Sequence, residues 1–301
     1  MNSPSHDPQT APPIREHEPL ARYTSWRIGG AARYFAEATS PEQLRAALDW
    51  ARGLDLPVLI LGGGTNLLIR DAGFEGLVLR YRAQDVRLEQ HGEATLALVG
   101  AGAPMAGTVR RLARQGFAGL EWAEGLPGTI GGAVYGNAGC YGSDTATVLT
   151  RAWLLVDGTV EEWPVARLGY GYRTSTLKRL PAGIARPIVL SAEFRLTAAD
   201  PAELAARMEQ TAQARRSKTP SGQSCGSVFK NPPGDSAGRL IEAAGLKGTR
   251  IGGAEIAAKH ANYIVNLGGA SSDDVLRLIE HARQRVAAEF GVTLELEVQI
   301  V

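Results

Sequence analysis

The sequence predicts a mixed α+β protein of two domains, and three observations carry that reading. Short apolar runs alternate with helical patterns along the chain. Glycine (36) and proline (16) are too frequent among 301 residues for a helical bundle. The glycines follow no period of three and 44% of the residues are apolar, so the chain packs a core instead of forming a low-complexity fibre. Lysine plus arginine (32) nearly cancels aspartate plus glutamate (31), and a net charge of +1 provides no broad basic field for nucleic acid. Two cysteines, Cys140 and Cys225, are too few for a disulfide scaffold and belong to no metal-binding pattern, which points to a reducing cytoplasm. No apolar run is long enough to span a membrane.

Residues 1–19 are rich in proline, carry mixed charge and lack an apolar stretch, so they read as a disordered tail and not as a signal peptide. The first helix has Ser40 as its cap, Pro41 at its first position and Gln43 three residues on from Ser40. It runs through Leu44, Ala47, Leu48 and Ala51 to a stop at Gly53. Strands follow at VLIL (58–61), LVLR (77–80) and TLALVGAG (95–102). Pro104 starts a second helix with Met105, Val109, Leu112 and Ala113 on one face, ending at Gly116. Residues 125–142, GLPGTIGGAVYGNAGCYG, contain seven glycines in eighteen, a composition expected of irregular backbone held close to a ligand.

WLLV (153–156), Asp157-Gly158 and TVEEWPV form a predicted hairpin with a tight turn. PIVLSAEFRL (187–196) is a strand that closes the first half, and Ala199-Asp200-Pro201 opens a helix reaching Arg216. The domain boundary is therefore placed at 198, with the first domain itself divided near 85. A short helix spans 236–244, a strand NYIVNL spans 262–267, and a last helix starts at Ser271 or Ser272. That helix buries Val275, Leu278, Ile279, Ala282 and Val286, with Gly291 as its stop. The final segment VTLELEVQIV alternates as a strand, with Glu295, Glu297 and Gln299 on the polar face.

Two segments carry the strongest chemical signal. LILGGGTNLLIRD (59–71) is a strand entering three glycines, whose missing Cβ atoms let backbone amides approach a diphosphate. It lacks the Lys-Ser/Thr of a P-loop and the spacing of a Rossmann fingerprint. Taken alone it reads equally well as a tight turn; the second glycine cluster at 125–142 weighs toward a ligand cradle.

GGGTNLLIRD, GLPGTIGGAVYGNAGCYG, GYRTST, GSVFKNP, KHANYIVN and a terminal LELEV, in that order, resemble the UDP-N-acetylenolpyruvoylglucosamine reductase family. The resemblance begins at TSWRIGG (24–30) and covers all but the tail. It implies an FAD-binding domain over residues 20–197 with the fold of the vanillyl-alcohol-oxidase class, and a substrate-binding domain over residues 198–301 whose last strand returns to the active site. It also implies the subtype that lacks an extra tyrosine-bearing loop. FAD would be held non-covalently by Gly62, Gly63, Gly64, Thr65 and Asn66 and by Gly125, Pro127, Gly128, Thr129, Gly132, Asn137 and Gly139. NADPH would be the co-substrate and a UDP-sugar the substrate, in cytoplasmic peptidoglycan synthesis serving cell shape and division. No metal, nucleic-acid or membrane partner is implied, and the chain is expected to be a monomer.

The same resemblance implies three catalytic residues. Arg173 would withdraw charge through the substrate carboxylate, a task its bidentate guanidinium suits; without that context it reads as a surface arginine. Ser227 would donate the proton, and a serine can do so only where its alkoxide is stabilised, for which Lys230 is a candidate; otherwise it reads as a hydroxyl capping a turn. Glu297 would hydrogen-bond the carboxylate or enolate while protonated, although periodicity does not separate it from Glu295. Lys230, Asn231, Arg215 and Lys218 would meet the UDP-sugar. Lys259, His260 and Asn262 are assigned to structure or substrate positioning. Two alternatives stay open on the residues: another FAD oxidoreductase of this fold, and a non-catalytic nucleotide-binding module.

Overall fold

A computed structural model describes residues 11–181 and 184–301. The chain forms two compact units, neither of them contiguous in sequence. The first is built from Phe35–Gly62 and Gly76–Gln213, together with the described residues up to Arg15. The second is built from Glu16–Tyr34, Gly63–Glu75 and Ala214–Val301. A single boundary at 198 is therefore replaced by several, for a reason found in the second unit's core. Trp26, Ile28 and Leu68 lie in one cluster with Phe229, Leu240, Ile264 and Leu278. The indole Nε1 of Trp26 donates to the Ile264 carbonyl at 2.7 Å, and Asn266 Nδ2 donates to the Trp26 carbonyl at 2.8 Å. The last division falls between Gln213 and Ala214, inside the helix Pro201–Lys218, and not at 198.

The first unit is organised on an antiparallel sheet with strand order Thr159–Pro164, Leu149–Val156, Ile188–Ala198, Ala94–Gly100, Val86–His91, with Phe117–Ala118 pairing Ile188–Ala198. The predicted hairpin is present with Val156 opposite Thr159. Asp157 (φ 46°) and Gly158 (φ 83°) both take the left-handed conformation that a two-residue turn between twisted strands needs. The central strand keeps Ala192, Phe194 and Leu196 fully buried, as alternation requires. Val58–Leu61 pairs in parallel with Phe74–Tyr81, from Val58 opposite Leu77 to Leu61 opposite Arg80. The helix Pro41–Gly53 is capped by Ser40, whose side chain accepts from the Gln43 amide, and Met105–Arg114 follows Pro104 as the sequence indicates.

Within residues 125–142 the structure differs from the expectation of purely irregular backbone. Ile130–Gly136 is a helix: Thr129 caps it by accepting from the Gly132 amide, and Ile130, Ala133 and Val134 are buried. Asn137 ends it in the left-handed conformation, φ 48°. Glycine is required at position 131 by packing, since a Cβ there would sit 2.9 Å from Ala101 Cβ.

In the second unit the helix Ser272–Phe290 buries the five apolar residues its periodicity marks, together with Ser272. Ser271 and Asp274 form a capping box at its start, and Gly291 (φ 67°) ends it. The sheet Arg250–Ile251, Ala254–Ile256, Ile264–Asn266 and the helix Ala237–Ala243 complete this core. Two expectations are corrected here. The tail does not extend to residue 19, because Arg15–Pro19 is a strand beside Ala31–Ala38; pairing uses backbone groups, so a segment with only Glu18 buried forms it. Residues 1–10 lie outside the described residues. The final segment is not one long strand either. Only Gln299–Ile300 is paired as such, in parallel with Leu67–Leu68, while Leu296 bridges Phe229. Among the described residues, no helix is long and apolar enough to cross a membrane.

Candidate active site

In the first unit the two glycine-rich segments meet. A Cβ on Gly62 would lie 2.8 Å from Thr129 Oγ1, so the end of the Val58–Leu61 strand abuts the cap of the Ile130–Gly136 helix at a distance only glycine permits. In the second unit the loop continues through Gly64, whose φ of 61° and whose approach to the Tyr23 carbonyl exclude any side chain. Its carbonyl accepts from the Ser25 amide at 3.0 Å. Among the described residues, the amides of Gly63, Gly64, Thr65 and Asn66 donate to no protein acceptor, and neither do those of Gly125, Gly128 and Thr129. Runs of uncommitted N–H groups on backbone without side-chain obstruction are a donor set suited to a diphosphate.

The remaining residues of the second cluster divide by role. Asn137 is 3% exposed, and its amide is committed to protein: Nδ2 donates to Asp144 Oδ2 and to the Gly171 carbonyl, while Oδ1 accepts from the Ala146 amide. Gly139 is buried where a Cβ would meet Asp144 and the Ser143 carbonyl. Pro127 and Gly132 are exposed.

Arg173 sits in a reversal between Gly171 and Thr174, whose amides and carbonyls bond each other at 3.2 and 3.3 Å. With φ 55° it occupies the second central position of the turn, one that favours glycine or asparagine. The turn is fixed by Asn137 on the Gly171 carbonyl and by Lys178 Nζ on the Arg173 carbonyl at 3.2 Å. The buried Ser175 hydroxyl donates to the Tyr135 carbonyl at 2.6 Å. The Tyr170 hydroxyl donates to the Val134 carbonyl, and burial pushes its pKa well above the usual phenol value.

Ser227 and Glu297 are brought together in the second unit. Ser227 bridges Tyr263 and Phe229 bridges Leu296, both antiparallel. The Lys230 amide donates to the Glu295 carbonyl at 2.9 Å, and the Glu297 amide donates to the Val228 carbonyl at 2.9 Å. The Val298 amide reaches that same carbonyl at 3.4 Å, so two residues face one and the segment carries a β-bulge at Glu297. Simple alternation ends there, which is why sequence periodicity did not separate the two glutamates. The structure does. The Glu295 side chain is 71% exposed and pairs with the Lys230 ammonium, whereas Glu297 is half-buried. Lys230 thus has Glu295 as its ion-pair partner.

The three residues assigned to structure or substrate positioning make structural contacts. Asn262 is 3% exposed and spans Phe229 as a strand would: Oδ1 accepts from the Phe229 amide at 2.9 Å, and Nδ2 donates to its carbonyl at 2.8 Å. His260 Nδ1 accepts from the Asn262 amide at 3.2 Å, and burial lowers its pKa. Lys259 Nζ donates to the Arg216 carbonyl at 2.7 Å in the last turn of the Pro201–Lys218 helix. Arg215 and Lys218, expected to meet the UDP-sugar, lie in that same last turn, while Asn231 Oδ1 accepts from the Ala237 amide at the start of the next helix. Cys225, which belongs to no disulfide or metal pattern in the sequence, braces the glycine loop. It is buried, its thiol donates to the Leu67 carbonyl at 3.3 Å, and burial pushes its pKa up to about 12, so it stays a neutral donor.

Residues 214–301 match the model of the UDP-N-acetylenolpyruvoylglucosamine reductase C-terminal domain, and residues 32–162 match an FAD-binding domain. The UDP-N-acetylenolpyruvoylglucosamine reductase of Chloroflexus aggregans is 58% identical over 96% of this chain and 97% of its own length. The chain belongs to the UDP-N-acetylenolpyruvoylglucosamine reductase family. The Rubrobacter xylanophilus member is 46% identical over 96% of both chains. The crystal structure of the reductase from Thermus caldophilus superposes with a TM-score of 0.79 at 36% identity, covering 96% of this chain and 98% of that one. Like its family, the protein is an FAD-dependent oxidoreductase, and the fold class expected from the sequence holds. Within the second unit the free amides of residues 63–66, and within the first those of Gly125, Gly128 and Thr129, are each a donor set of the kind an anionic group such as that cofactor's diphosphate takes.

Proposed function

We propose that the protein reduces the enolpyruvyl group of UDP-N-acetylglucosamine-enolpyruvate to give UDP-N-acetylmuramate, a cytoplasmic step of peptidoglycan precursor synthesis, with NADPH as reductant. The observation that supports this most is that Ser227 and Glu297 lie on neighbouring segments, joined by the bond from the Glu297 amide to the carbonyl of Val228, the residue after Ser227. Loop amides such as those of Gly63, Gly64, Thr65 and Asn66 would hold FAD at its diphosphate, and the bound cofactor, reduced by NADPH, would supply the hydride for the terminal carbon of the enolpyruvyl group. Addition there places negative charge on the carbon bearing the carboxylate, so the chain has to stabilise an enolate and deliver a proton. Arg173 takes the carboxylate in its guanidinium fork, the Ser227 hydroxyl gives the proton to the adjacent carbon, and Glu297 hydrogen-bonds the carboxylate or enolate oxygen. Lys230, Asn231, Arg215 and Lys218 receive the UDP-sugar, whose anionic groups compete with Glu295 for the Lys230 ammonium.

Anaerobic stopped-flow absorbance tests the reading. The NADPH-reduced enzyme is expected to reoxidise on mixing with the enolpyruvyl substrate, and Ser227→Ala is expected to keep reduction by NADPH while losing reoxidation by about a hundredfold or more. A flavin that stays reduced in the parent protein would support the non-catalytic module. Normal rates for both half-reactions in Ser227→Ala would remove serine as the acid. Flavin colour retained by denatured protein would indicate covalent attachment and favour another oxidoreductase of this fold.

A further inference from the structure

We infer that Asn66, at the end of the triple-glycine loop, is a positioning residue for Glu297, an assignment that rests on the proposed role of Glu297. The two residues are separated by 231 positions, yet Asn66 Nδ2 donates to the Glu297 carbonyl at 3.0 Å. The Asn66 carbonyl in turn accepts from the Gln299 amide at 3.0 Å. One side-chain bond and one main-chain bond of a single residue therefore bracket residues 297–299.

The bracket falls on the β-bulge. Where the amides of Glu297 and Val298 share the Val228 carbonyl, the ladder no longer dictates which way the Glu297 side chain leaves the backbone. A bond to the Glu297 carbonyl fixes the orientation of that peptide plane, and with it the direction of the carboxyl. Beyond the bracket the chain is secured independently: Gln299 and Ile300 pair with Leu67 and Leu68, and the Arg70 amide donates to the Val301 carbonyl at 2.9 Å. Removal of the Asn66 side chain therefore leaves the terminus docked and frees the bulge alone.

Asn66 also faces two ways. Its own amide and that of Thr65 are among the uncommitted donors of the loop, while its side chain is spent on Glu297. Cys225, two residues before Ser227, reaches the same loop at the Leu67 carbonyl. Ordering the loop backbone accordingly orders the Glu297 peptide, which ties the precision of that carboxyl to the state of the loop.

Asn66→Asp and Asn66→Ala test this in the full-length, FAD-loaded protein, with Glu297→Gln beside them. Asn66→Asp keeps the size and the main-chain bond but turns a donor into an acceptor against a carbonyl; Asn66→Ala removes the bond without adding repulsion. Hydrogen exchange at the Glu297 and Val298 amides is expected to accelerate at least tenfold in both, with exchange at the Val301 amide unchanged. Substrate-driven reoxidation is expected to fall about tenfold or more relative to reduction by NADPH, within the roughly hundredfold that misplacing a catalytic group by about 1 Å can cost. Wild-type exchange and a wild-type ratio of the two half-reactions in both variants would overturn the inference. If Glu297→Gln reoxidises normally, the proposed role of Glu297 falls, and the exchange data still decide whether Asn66 holds the segment. If Glu297→Gln is slow while both Asn66 variants behave as the parent, the role of Glu297 stands and that of Asn66 falls.

Discussion

The turn carrying Arg173 and the bulge carrying Glu297 are held in opposite ways. Arg173 is fixed by near neighbours: Lys178 five residues on, and the segment around Tyr135 and Asn137 that enters the same turn from 34 to 40 residues upstream. Glu297 is fixed by Asn66, 231 residues away, and by the Phe229 segment, which the Asn262 side chain braces over a separation of 33 residues, similar to those at the Arg173 turn. The first arrangement stores strain in one residue, a left-handed arginine, inside a compact local frame. The second leaves its left-handed positions to glycines, Gly226 (φ 79°) beside Ser227 and Gly64 (φ 61°) in the Asn66 loop, and depends on polar side chains replacing missing ladder bonds. Local frames tolerate distant change, whereas a frame assembled from remote segments fails at its few connecting residues.

The sharpest test of that contrast is Asn262→Ala. It leaves both the amide and the carbonyl of the 2% exposed Phe229 without partners, and at about 1–3 kcal/mol for each buried unsatisfied group the loss is about 3 kcal/mol. Urea unfolding is expected to show a correspondingly lower midpoint, with reoxidation by substrate impaired. A midpoint equal to the parent's would mean that the Ser227 segment does not depend on its Asn262 side-chain anchor.

Arg173 offers a smaller effect of distinctive sign. At φ 55° an alanine pays the same left-handed penalty as arginine and a glycine does not, so Arg173→Gly is expected to be more stable than Arg173→Ala by about 1 kcal/mol. Both variants should bind substrate poorly. Equal melting temperatures would show the turn to be unstrained.

The smallest effect concerns pH. Burial holds the His260 pKa below its ordinary 6.5, so the unfolded chain binds a proton there before the folded one does. Stability from this residue is complete above 6.5 and declines as pH falls below it. Lys247 and Lys218 act in the same direction as burial and Glu242 opposes them. Melting temperature is expected to drop between pH 7 and 5 less steeply in His260→Gln than in the parent protein; parallel curves would assign the acid sensitivity elsewhere.

Much of the fold was legible because its signals are local. Ser40 with Pro41 and Gln43, Ser271 with Asp274, and Asp157-Gly158 each satisfy their backbone within a few residues, and each element formed where those residues place it. The glycine loops were legible as sites of close backbone approach, although a seven-residue helix inside the second was hidden by its glycines. The site was legible through motif order, which drew attention to Ser227 and Glu297 without explaining either.

The sequence by itself determined the mixed fold class, the major helices, the hairpin and the two amide-rich loops, since these depend on periodicity, caps and the absence of Cβ atoms over short spans. Tertiary structure alone decided that the units are discontinuous, that Glu295 is spent on Lys230 while Glu297 sits in a bulge, and that Asn66 and Asn262 hold the neighbouring peptides. The physical reason is that a buried backbone group must find a partner wherever one is in reach, and which remote side chain supplies it depends on the path of the whole chain, which no short window of sequence contains.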